Sequence, residues 1–168
     1  KHLAAVAYET KNFGTAERYY DQLLETDGDN VKLLQMKVKC LMEARRYDDA
    51  IPFLYKIDYL SDKSVSSQYM LALAQLLNGE TDKSSDTLES CLSDNPNATD
   101  VVVLLAHVRL IQGRVADAYA LYRQFYNGSD SFGEAFWDNV ALFEEVLGVD
   151  RSNFKLIYDA VCLGALDD

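Results

Sequence analysis

Apolar side chains recur along this chain at spacings of three and four residues, which is the period of an amphipathic helix. The stretch NFGTAERYYDQLLE, residues 12–25, places Ala16, Tyr20 and Leu23 at positions i, i+4 and i+7, so the three side chains share one helical face. The same arrangement returns further along the chain in RYDDAIPFLYKI, where Ala50 takes the place of Ala16. The pattern therefore predicts helices that repeat at a fixed distance.

Small residues recur at a strict 34-residue spacing, and a second, mostly small column lies twelve residues earlier in each unit. Two antiparallel helices approach closely only where both offer small side chains, so each unit is predicted to be a helix pair. Gly79 and Gly113 lie in the short turns between paired helices, where a helix end favours a left-handed residue. The first column consists of Ala16, Ala50, Ser84 and Ala118.

A 34-residue helix-turn-helix unit with small, aromatic and proline positions in this order resembles the tetratricopeptide repeat. The fullest copy is MLALAQLLNGETDKSSDTLESCLSDNPN, residues 70–97, which closes at Pro96. Two residues depart from the family pattern, since Lys37 occupies a usually apolar column and Arg109 a usual tyrosine column. The resemblance implies an all-α fold, a right-handed α-solenoid of antiparallel helix pairs. It extends over residues 1–126 as four repeats, 1–30, 31–64, 65–98 and 99–126.

The C-terminal part of the chain follows the repeat pattern less closely. The turn-rich segment NGSDSFG, residues 127–133, breaks the register, and the stretches 134–148 and 152–164 predict one more helix pair. Residues 134–168 are therefore interpreted as a degenerate fifth unit, which is either a divergent repeat or a capping pair. We favour the divergent repeat, because one inserted residue brings Trp137 into a family column.

The composition is typical of a folded, soluble protein, with 49% hydrophobic and 26% charged residues among 168. The longest apolar runs, such as VVVLLA, are far shorter than the roughly 20 residues that span a bilayer, so no membrane insertion is expected. The formal charge is −11, and residues 129–168 contribute −7 of it. Because an acidic surface repels phosphate backbones, nucleic-acid binding is not expected.

No arrangement of residues predicts catalysis, a cofactor or a metal site. The sequence lacks nucleophile, phosphate-loop and zinc-protease motifs, and TDGDN at 26–30 is interpreted as a turn between repeats. His2 and His107 lie in different units, without cysteine or carboxylate partners at metal-ligand spacing. The three cysteines are widely spaced and are interpreted as reduced packing residues, which favours the cytoplasm. The chain opens at Lys1, so we expect that an upstream piece, with any signal it carried, has been removed.

Function is therefore expected on the surface that the repeats create. The resemblance implies a concave groove lined by the first helix of each repeat, which in this family commonly holds an extended peptide or a partner's helix. All three methionines fall in the groove columns, and flexible methionines suit adaptable apolar binding surfaces. Lys39 and Gln35 are expected to orient the ligand while the apolar residues contact it. Carried over residue by residue, the groove contains Tyr8, Lys32, Gln35, Met36, Lys39, Met42, Tyr69, Met70, Leu73, Leu76, Leu104, His107 and Ile111.

We thus predict a non-enzymatic protein-interaction scaffold, a monomer or weak homo-oligomer, that binds another protein or a peptide in the groove. Two alternatives stay open, namely an accessory or regulatory region of a larger protein, such as an enzyme, and a self-assembly scaffold. A third alternative concerns the groove alone, which the protein's own terminus or last helix would fill.

Overall fold

The computed structural model describes residues 13–166, which form ten helices joined by short turns. The all-α fold class predicted from the sequence is confirmed. None of these helices combines the length and the apolar character needed to cross a membrane. In chain order they are α1 (Phe13–Thr26), α2 (Val31–Glu43), α3 (Tyr47–Leu60), α4 (Val65–Leu77), α5 (Thr81–Asp94), α6 (Thr99–Ile111), α7 (Val115–Phe125), α8 (Asp130–Trp137), α9 (Val140–Leu147) and α10 (Arg151–Leu163).

The helices form two compact units. Unit 1 contains α1 to α4 and ends at Asn78, and unit 2 contains α5 to α10 and begins at Gly79. In unit 1 each helix packs against the next one in sequence, which is the arrangement expected of antiparallel helix pairs. In unit 2 α5 packs on α6 and α6 on α7, while α8 contacts α6 and α10 contacts α7.

The column of small residues that defines the repeat period is completely buried. Ala16, Ala50, Ser84 and Ala118 are each 0% exposed. A larger side chain at one of these points would separate the packed helices or force strained rotamers, at a cost of about 1 to 3 kcal/mol. The period in the sequence therefore reflects a packing requirement.

The core of unit 1 is built from apolar side chains of neighbouring helices. Leu34 and Val38 of α2 pack with Leu54 and Ile57 of α3 and with Leu71 of α4. A neighbouring cluster joins α1 to α2. These contacts fix the rotation of α2 and α4 about their own axes, so they also decide which side chains point away from the core.

Lys37, in the usually apolar column of α2, is buried against α1. Its Nζ lies 2.8 Å from Oε1 of Glu17 and 2.6 Å from Oδ1 of Asp21. It also lies 5.5 Å from the centroid of the Phe53 ring. Burial opposes the charge on Lys37, but the hydrogen bonds and charges of Asp21 and Glu17 outweigh burial and raise its pKa. The departure from the repeat pattern is therefore matched by two carboxylates on the neighbouring helix.

Arg109, in the usual tyrosine column of α6, is matched in the same way by α5. Its guanidinium donates to Oγ of Ser85 at 2.5 Å and to Oε1 of Gln112 at 3.1 Å, and it pairs with the carboxylate of Glu89. The side chain of Arg109 is buried whereas that of Glu89 is half exposed, so this ion pair lies at the edge of the core. Its hydrogen bonds satisfy a charge that would otherwise be costly to bury.

The turns that follow α2, α4 and α6 use a left-handed residue at a fixed position. Arg45, Gly79 and Gly113 occupy equivalent positions in successive repeats and have φ angles of 59°, 81° and 80°. The N–H of Arg45 donates to the carbonyl of Met42, and the N–H of Gly113 donates to that of Leu110, each at 3.0 Å. The two turns share one backbone geometry, so arginine occupies position 45 where that geometry favours glycine.

The C-terminal segment forms three helices where the sequence predicts a pair. α8 begins at Asp130, inside the predicted break, because the side chain of Asn127 already closes the turn by accepting hydrogen bonds from the N–H and Oγ of Ser129. The helix predicted over 134–148 is interrupted by an Asp-Asn pair at 138–139, since such side chains compete for backbone hydrogen bonds. α10 lies where the second helix of the pair was predicted.

We expect Arg45→Gly to stabilise the protein by about 0.5 to 1 kcal/mol, because a side chain at positive φ is strained and glycine is not. Gly113→Ala is the matched opposite change and is expected to destabilise the protein. Apart from its chain neighbours, no described atom lies within 4 Å of the added Cβ, so the expected loss of stability comes from the backbone conformation alone. Urea unfolding followed by circular dichroism measures both variants. A lower stability of Arg45→Gly would contradict this account of the turn.

Candidate peptide-binding surface

The side of α2 that points away from the core carries groove residues predicted from the sequence. Lys32, Gln35 and Lys39 are exposed, and Met36 is half-buried because it packs against the cluster that joins α1 to α2. Spacings of three, four and seven residues place these side chains on one side of the helix. Asn30 fixes the start of α2, since its side chain accepts a hydrogen bond from a backbone N–H of the first turn at 3.1 Å.

α4 presents the same columns one repeat later. Tyr69 is half-buried and Met70 is 38% exposed. Leu73 is 7% exposed and Leu76 is fully buried, so these two predicted groove residues are not available to a ligand. Met42, at the end of α2, is half-buried and packs against the core cluster of unit 1.

The outward sides of α2 and α4 belong to one unit, because both helices contribute to the same core cluster. Lys39 and Tyr69 also interact with other residues of the chain. Tyr8 lies outside the described residues. We term the set of accessible groove residues in unit 1 the α2–α4 surface. It consists of Lys32, Gln35, Met36, Lys39, Tyr69 and Met70.

The two units differ strongly in charge. Residues 1–78 hold ten basic and eleven acidic side chains, which gives −1, whereas residues 79–168 hold six and sixteen, which gives −10. The lysines of the α2–α4 surface therefore lie in the nearly neutral part of an acidic chain. An acidic ligand is repelled less by unit 1 than by unit 2.

In unit 2 the equivalent column of α6 is covered by the protein's own C-terminal helices. The ring of His107 lies 5.1 Å from that of Phe136 on α8, 5.7 Å from Phe143 on α9 and 5.5 Å from Phe154 on α10. His107 is 2% exposed, and Leu104 is 1% exposed.

The sequence placed Leu104 and His107 in an open groove, and the structure corrects this expectation. They are core residues of unit 2, because the C-terminal helices pack on the side of α6 that carries His107. Ile111, at the end of α6, is half-buried. The open part of the predicted groove is therefore the α2–α4 surface.

His107 is held neutral inside unit 2. Its Nδ1 lies 2.5 Å from the hydroxyl of Tyr122. Burial lowers the pKa of His107 to about 3, and the backbone of Phe136 opposes only part of that shift. Burial also raises the pKa of Tyr122 well above its usual value. Residues 13–166 contain no group of three or more side chains arranged to hold a metal ion.

The aromatic cluster that fills unit 2 was missed by reasoning from the sequence. Phe132 stacks on Tyr158 with centroids 5.7 Å apart and planes 7° apart. Gly133 leaves room for this tyrosine, since a Cβ there would lie 2.9 Å from the Tyr158 hydroxyl. The available signal was the density of aromatic residues after position 125, which a repeat pattern does not require. The cluster consists of His107, Tyr122, Phe132, Phe136, Trp137, Phe143, Phe154 and Tyr158.

Helix pairs that recur at a fixed period define a helical-repeat protein, and sequence comparison identifies the repeat. One sequence pattern of the tetratricopeptide repeat family matches residues 7–76, and a second pattern of that family matches residues 66–98. Together they match more than half of the chain, which belongs to the tetratricopeptide repeat family. A search among curated proteins found no sequence with a significant match.

Solved structures share the fold. A crystal structure of MamA is similar with a TM-score of 0.68 at 22% identity, covering 95% of this chain and 86% of that chain. A second crystal structure of MamA gives a TM-score of 0.67 at 22% identity, covering 94% and 93%. An O-GlcNAc transferase from Thermobaculum terrenum gives 0.60 at 17% identity, covering 74% of this chain but 24% of that chain. These likenesses confirm the α-solenoid fold class.

Family membership sets the general role of the chain. Tetratricopeptide repeats present extended surfaces to other proteins and are typically non-catalytic. The chain is therefore a repeat scaffold of the kind that supports protein interaction.

The buried, neutral His107 makes the stability of the protein depend on pH. An unfolded chain protonates histidine below about pH 6.5, whereas the folded protein protonates His107 only near pH 3. Unfolding takes up a proton between these values, so the contribution of His107 is present above pH 6.5 and is lost as the pH falls. Relative to His107→Phe, we expect the wild-type free energy of unfolding to fall by about 2 kcal/mol from pH 7 to pH 5.

Urea titrations of the two proteins at both pH values measure this difference. The variant keeps every carboxylate and His2, so their own titration cancels in the comparison. If both proteins lost stability equally, the neutral burial of His107 would be contradicted.

Proposed function

We propose that unit 1 binds an acidic peptide segment of another protein on the α2–α4 surface. Met36 and Met70 would contact apolar side chains of the ligand. Lys32 and Lys39 would attract its carboxylates, while Gln35 would form hydrogen bonds with its backbone.

This proposal rests on the equivalent column of residues in unit 2, which is covered by side chains from other helices of the protein. Position 107 of α6 corresponds to position 73 of α4 and to position 39 of α2. At position 107 three phenylalanines from α8, α9 and α10 surround the side chain. This side of a first helix therefore accepts large apolar side chains from another segment. On unit 1 this column is open at Lys39 of α2 and buried at Leu73 of α4, so we infer that a ligand lies beside Lys39 and the neighbouring exposed Met70.

Charge favours an acidic ligand. Lys32 and Lys39 are separated by two turns of α2, which is about 10.5 Å along the helix axis. A peptide with carboxylates at a similar distance matches both ammonium groups. Since solvated ion pairs contribute only about 0.2 to 1 kcal/mol each, the lysines are expected to set orientation and association rate more than affinity.

Most of the affinity is expected from the methionines. Their side chains are flexible and polarisable, so they adapt to apolar groups of different shape. Met70 is partly exposed, and Leu73, one turn further along the same side of α4, is buried, so a ligand at Met70 would have an apolar neighbour.

A phage-displayed peptide library selected against the wild-type protein tests this proposal. We expect the enriched peptides to combine acidic and apolar residues. Met70→Glu should weaken the best of them by at least about tenfold, or about 1.4 kcal/mol, because glutamate removes apolar contact and repels carboxylates. Isothermal titration calorimetry with synthetic versions of the peptides measures the affinity.

Tyr59→Glu is the matched control, because Tyr59 is 83% exposed on α3 and does not belong to the α2–α4 surface. Leu73 is unsuitable for this test, since a charge at a buried position would perturb the fold. Circular dichroism verifies the helical content of both variants. Equal affinity of Met70→Glu and wild type, or an equal loss in Tyr59→Glu, would refute the proposed surface and leave the family membership intact.

A further inference from the structure

The turn between α7 and α8 contains the sequence Asn127-Gly128-Ser129, and all three residues are exposed. When glycine follows asparagine, the next backbone nitrogen can attack the carboxamide carbon of the asparagine without hindrance from a side chain. Such an attack closes a five-membered succinimide ring. The same dipeptide occurs once more in this chain, as Asn78-Gly79 at the end of α4.

The carboxamide of Asn127 is held over the peptide that follows it. Its Oδ1 accepts a hydrogen bond from the N–H of Ser129 at 3.0 Å and a second one from the Oγ of Ser129 at 2.6 Å. A bond from the side chain of asparagine to the N–H two residues on forms an Asx-turn. The ring that this bond closes contains both Cγ of Asn127 and the backbone nitrogen of Gly128, so the two reacting atoms are kept near each other.

The two hydrogen bonds also polarise the carboxamide. Negative charge develops on Oδ1 as the nitrogen attacks Cγ, and donors that already point at this oxygen stabilise that charge. The Ser129 hydroxyl has one proton, which it donates to Asn127, so it accepts from the Ser131 hydroxyl 2.6 Å away. Accepting a hydrogen bond makes a hydroxyl a stronger donor. The turn therefore presents an activated carboxamide beside its nucleophile.

Asn78 precedes a glycine too, but its backbone has a different conformation. It caps the end of α4 with a φ angle of −83° and a ψ angle of 4°, and its N–H donates to the carbonyl of Ala74 at 2.9 Å. A ψ angle this small places the Gly79 nitrogen over the backbone nitrogen of Asn78 and away from its side chain. Ring closure at Asn78 requires a large rotation of ψ, so the two dipeptides are expected to react at different rates.

We propose that Asn127 is a site of spontaneous deamidation in the folded protein. The Gly128 nitrogen bonds to Cγ of Asn127, the Cγ–Nδ2 bond breaks, and Nδ2 leaves as ammonia with the proton of the Gly128 nitrogen. Water then opens the succinimide. Attack of water at Cγ gives aspartate, whereas attack at the main-chain carbonyl gives isoaspartate, in which the chain continues through Cγ. The new carboxylic acid ionises at neutral pH, so unit 2 gains a negative charge.

The modification changes the start of α8. This helix begins at Asp130, three residues after Asn127, and its Phe132 and Phe136 are fully buried in the aromatic cluster. Isoaspartate lengthens the main chain by one carbon and removes the carboxamide that closes the turn. The two phenylalanines are then displaced from their packed positions, which costs stability because the cluster is close-packed. We expect conversion to isoaspartate to destabilise unit 2.

The experiment incubates the full chain at neutral pH and analyses proteolytic peptides by mass spectrometry over time. Electron-transfer fragmentation distinguishes aspartate from isoaspartate. We expect Asn127 to convert at least about tenfold faster than Asn78 in the folded protein. In urea, where neither dipeptide keeps its native backbone, the two asparagines should convert at similar rates. This comparison separates the effect of the turn from that of the dipeptide.

Ser129→Ala removes the Oγ donor and keeps the N–H donor. It should slow the conversion of Asn127 by at least about threefold and leave that of Asn78 unchanged. Ser129 is exposed and its side chain does not cap α8, so the helix is expected to form normally. Ser152→Ala is the matched control, because the N–H and Oγ of Ser152 donate to Oδ1 of Asp150 in the same way at the start of α10.

The fluorescence of Trp137 measures the effect on unit 2. Trp137 is the only tryptophan of the chain and lies on α8, with its ring 4.8 Å from that of Phe136 and 5.4 Å from that of Tyr158. We expect converted protein to unfold at a lower urea concentration than fresh protein. Asn127→Gln, whose longer side chain cannot close the five-membered ring, should keep its midpoint after the same incubation.

Four results would overturn the proposal or a step of it. Equal rates at Asn127 and Asn78 in the folded protein would refute the site. An equal advantage of Asn127 in urea would show that the turn is not its cause. An unchanged rate in Ser129→Ala would refute activation by the hydroxyl. An unchanged unfolding midpoint of the converted protein would refute the effect on α8.

Discussion

Close approach of helices at small side chains is the constraint on which the rest of this structure depends. Ala16, Ala50, Ser84 and Ala118 are completely buried, and each fixes how closely its helix approaches a neighbour. Because the spacing is constant, each first helix presents equivalent residues at the same place in its repeat. The α2–α4 surface exists because this constraint aligns Met36 with Met70 in the repeat pattern.

Charged residues enter the packed interfaces only where a neighbouring helix supplies partners. Lys37 meets two carboxylates of α1, and Arg109 meets Ser85 and Glu89 of α5. Such pairs add little net stability compared with well-packed apolar residues, and we expect them to disfavour other pairings of the helices, in which the charges would be buried without partners. In a chain of similar repeats, where one helix pair resembles another, these two residues favour the correct neighbours.

The sequence predicted the features that depend on local pattern. The constant repeat period can be read from the amino-acid sequence. The helices, the buried column of small residues and the left-handed turn at Gly113 followed directly from it. The accessible residues of α2, such as Lys32 and Gln35, were predicted for the same reason.

What the sequence did not predict depends on contacts between distant segments. His107 has the same place in its repeat as Leu73, and nothing near it in the sequence shows that three phenylalanines from residues 136–154 cover it. The carboxylate partners of Lys37 and the Ser85 and Glu89 partners of Arg109 lie 16 to 24 residues away on other helices. The two departures from the repeat pattern were therefore visible in the sequence, whereas these partners were not.

The coverage of His107 by α8 to α10 has a consequence for competition between ligands. Those helices are tethered to α6 through the chain, so they occupy that column at an effective concentration on the order of millimolar or more. A free peptide of equal intrinsic affinity, present at micromolar concentration, would displace them in only a minor fraction of molecules. At Met70, by contrast, 38% of the side-chain surface stays accessible among the residues that the structure describes. If unit 1 binds a peptide as proposed, covalent connectivity within unit 2 would direct that peptide to unit 1, whatever the intrinsic affinity of the column on α6.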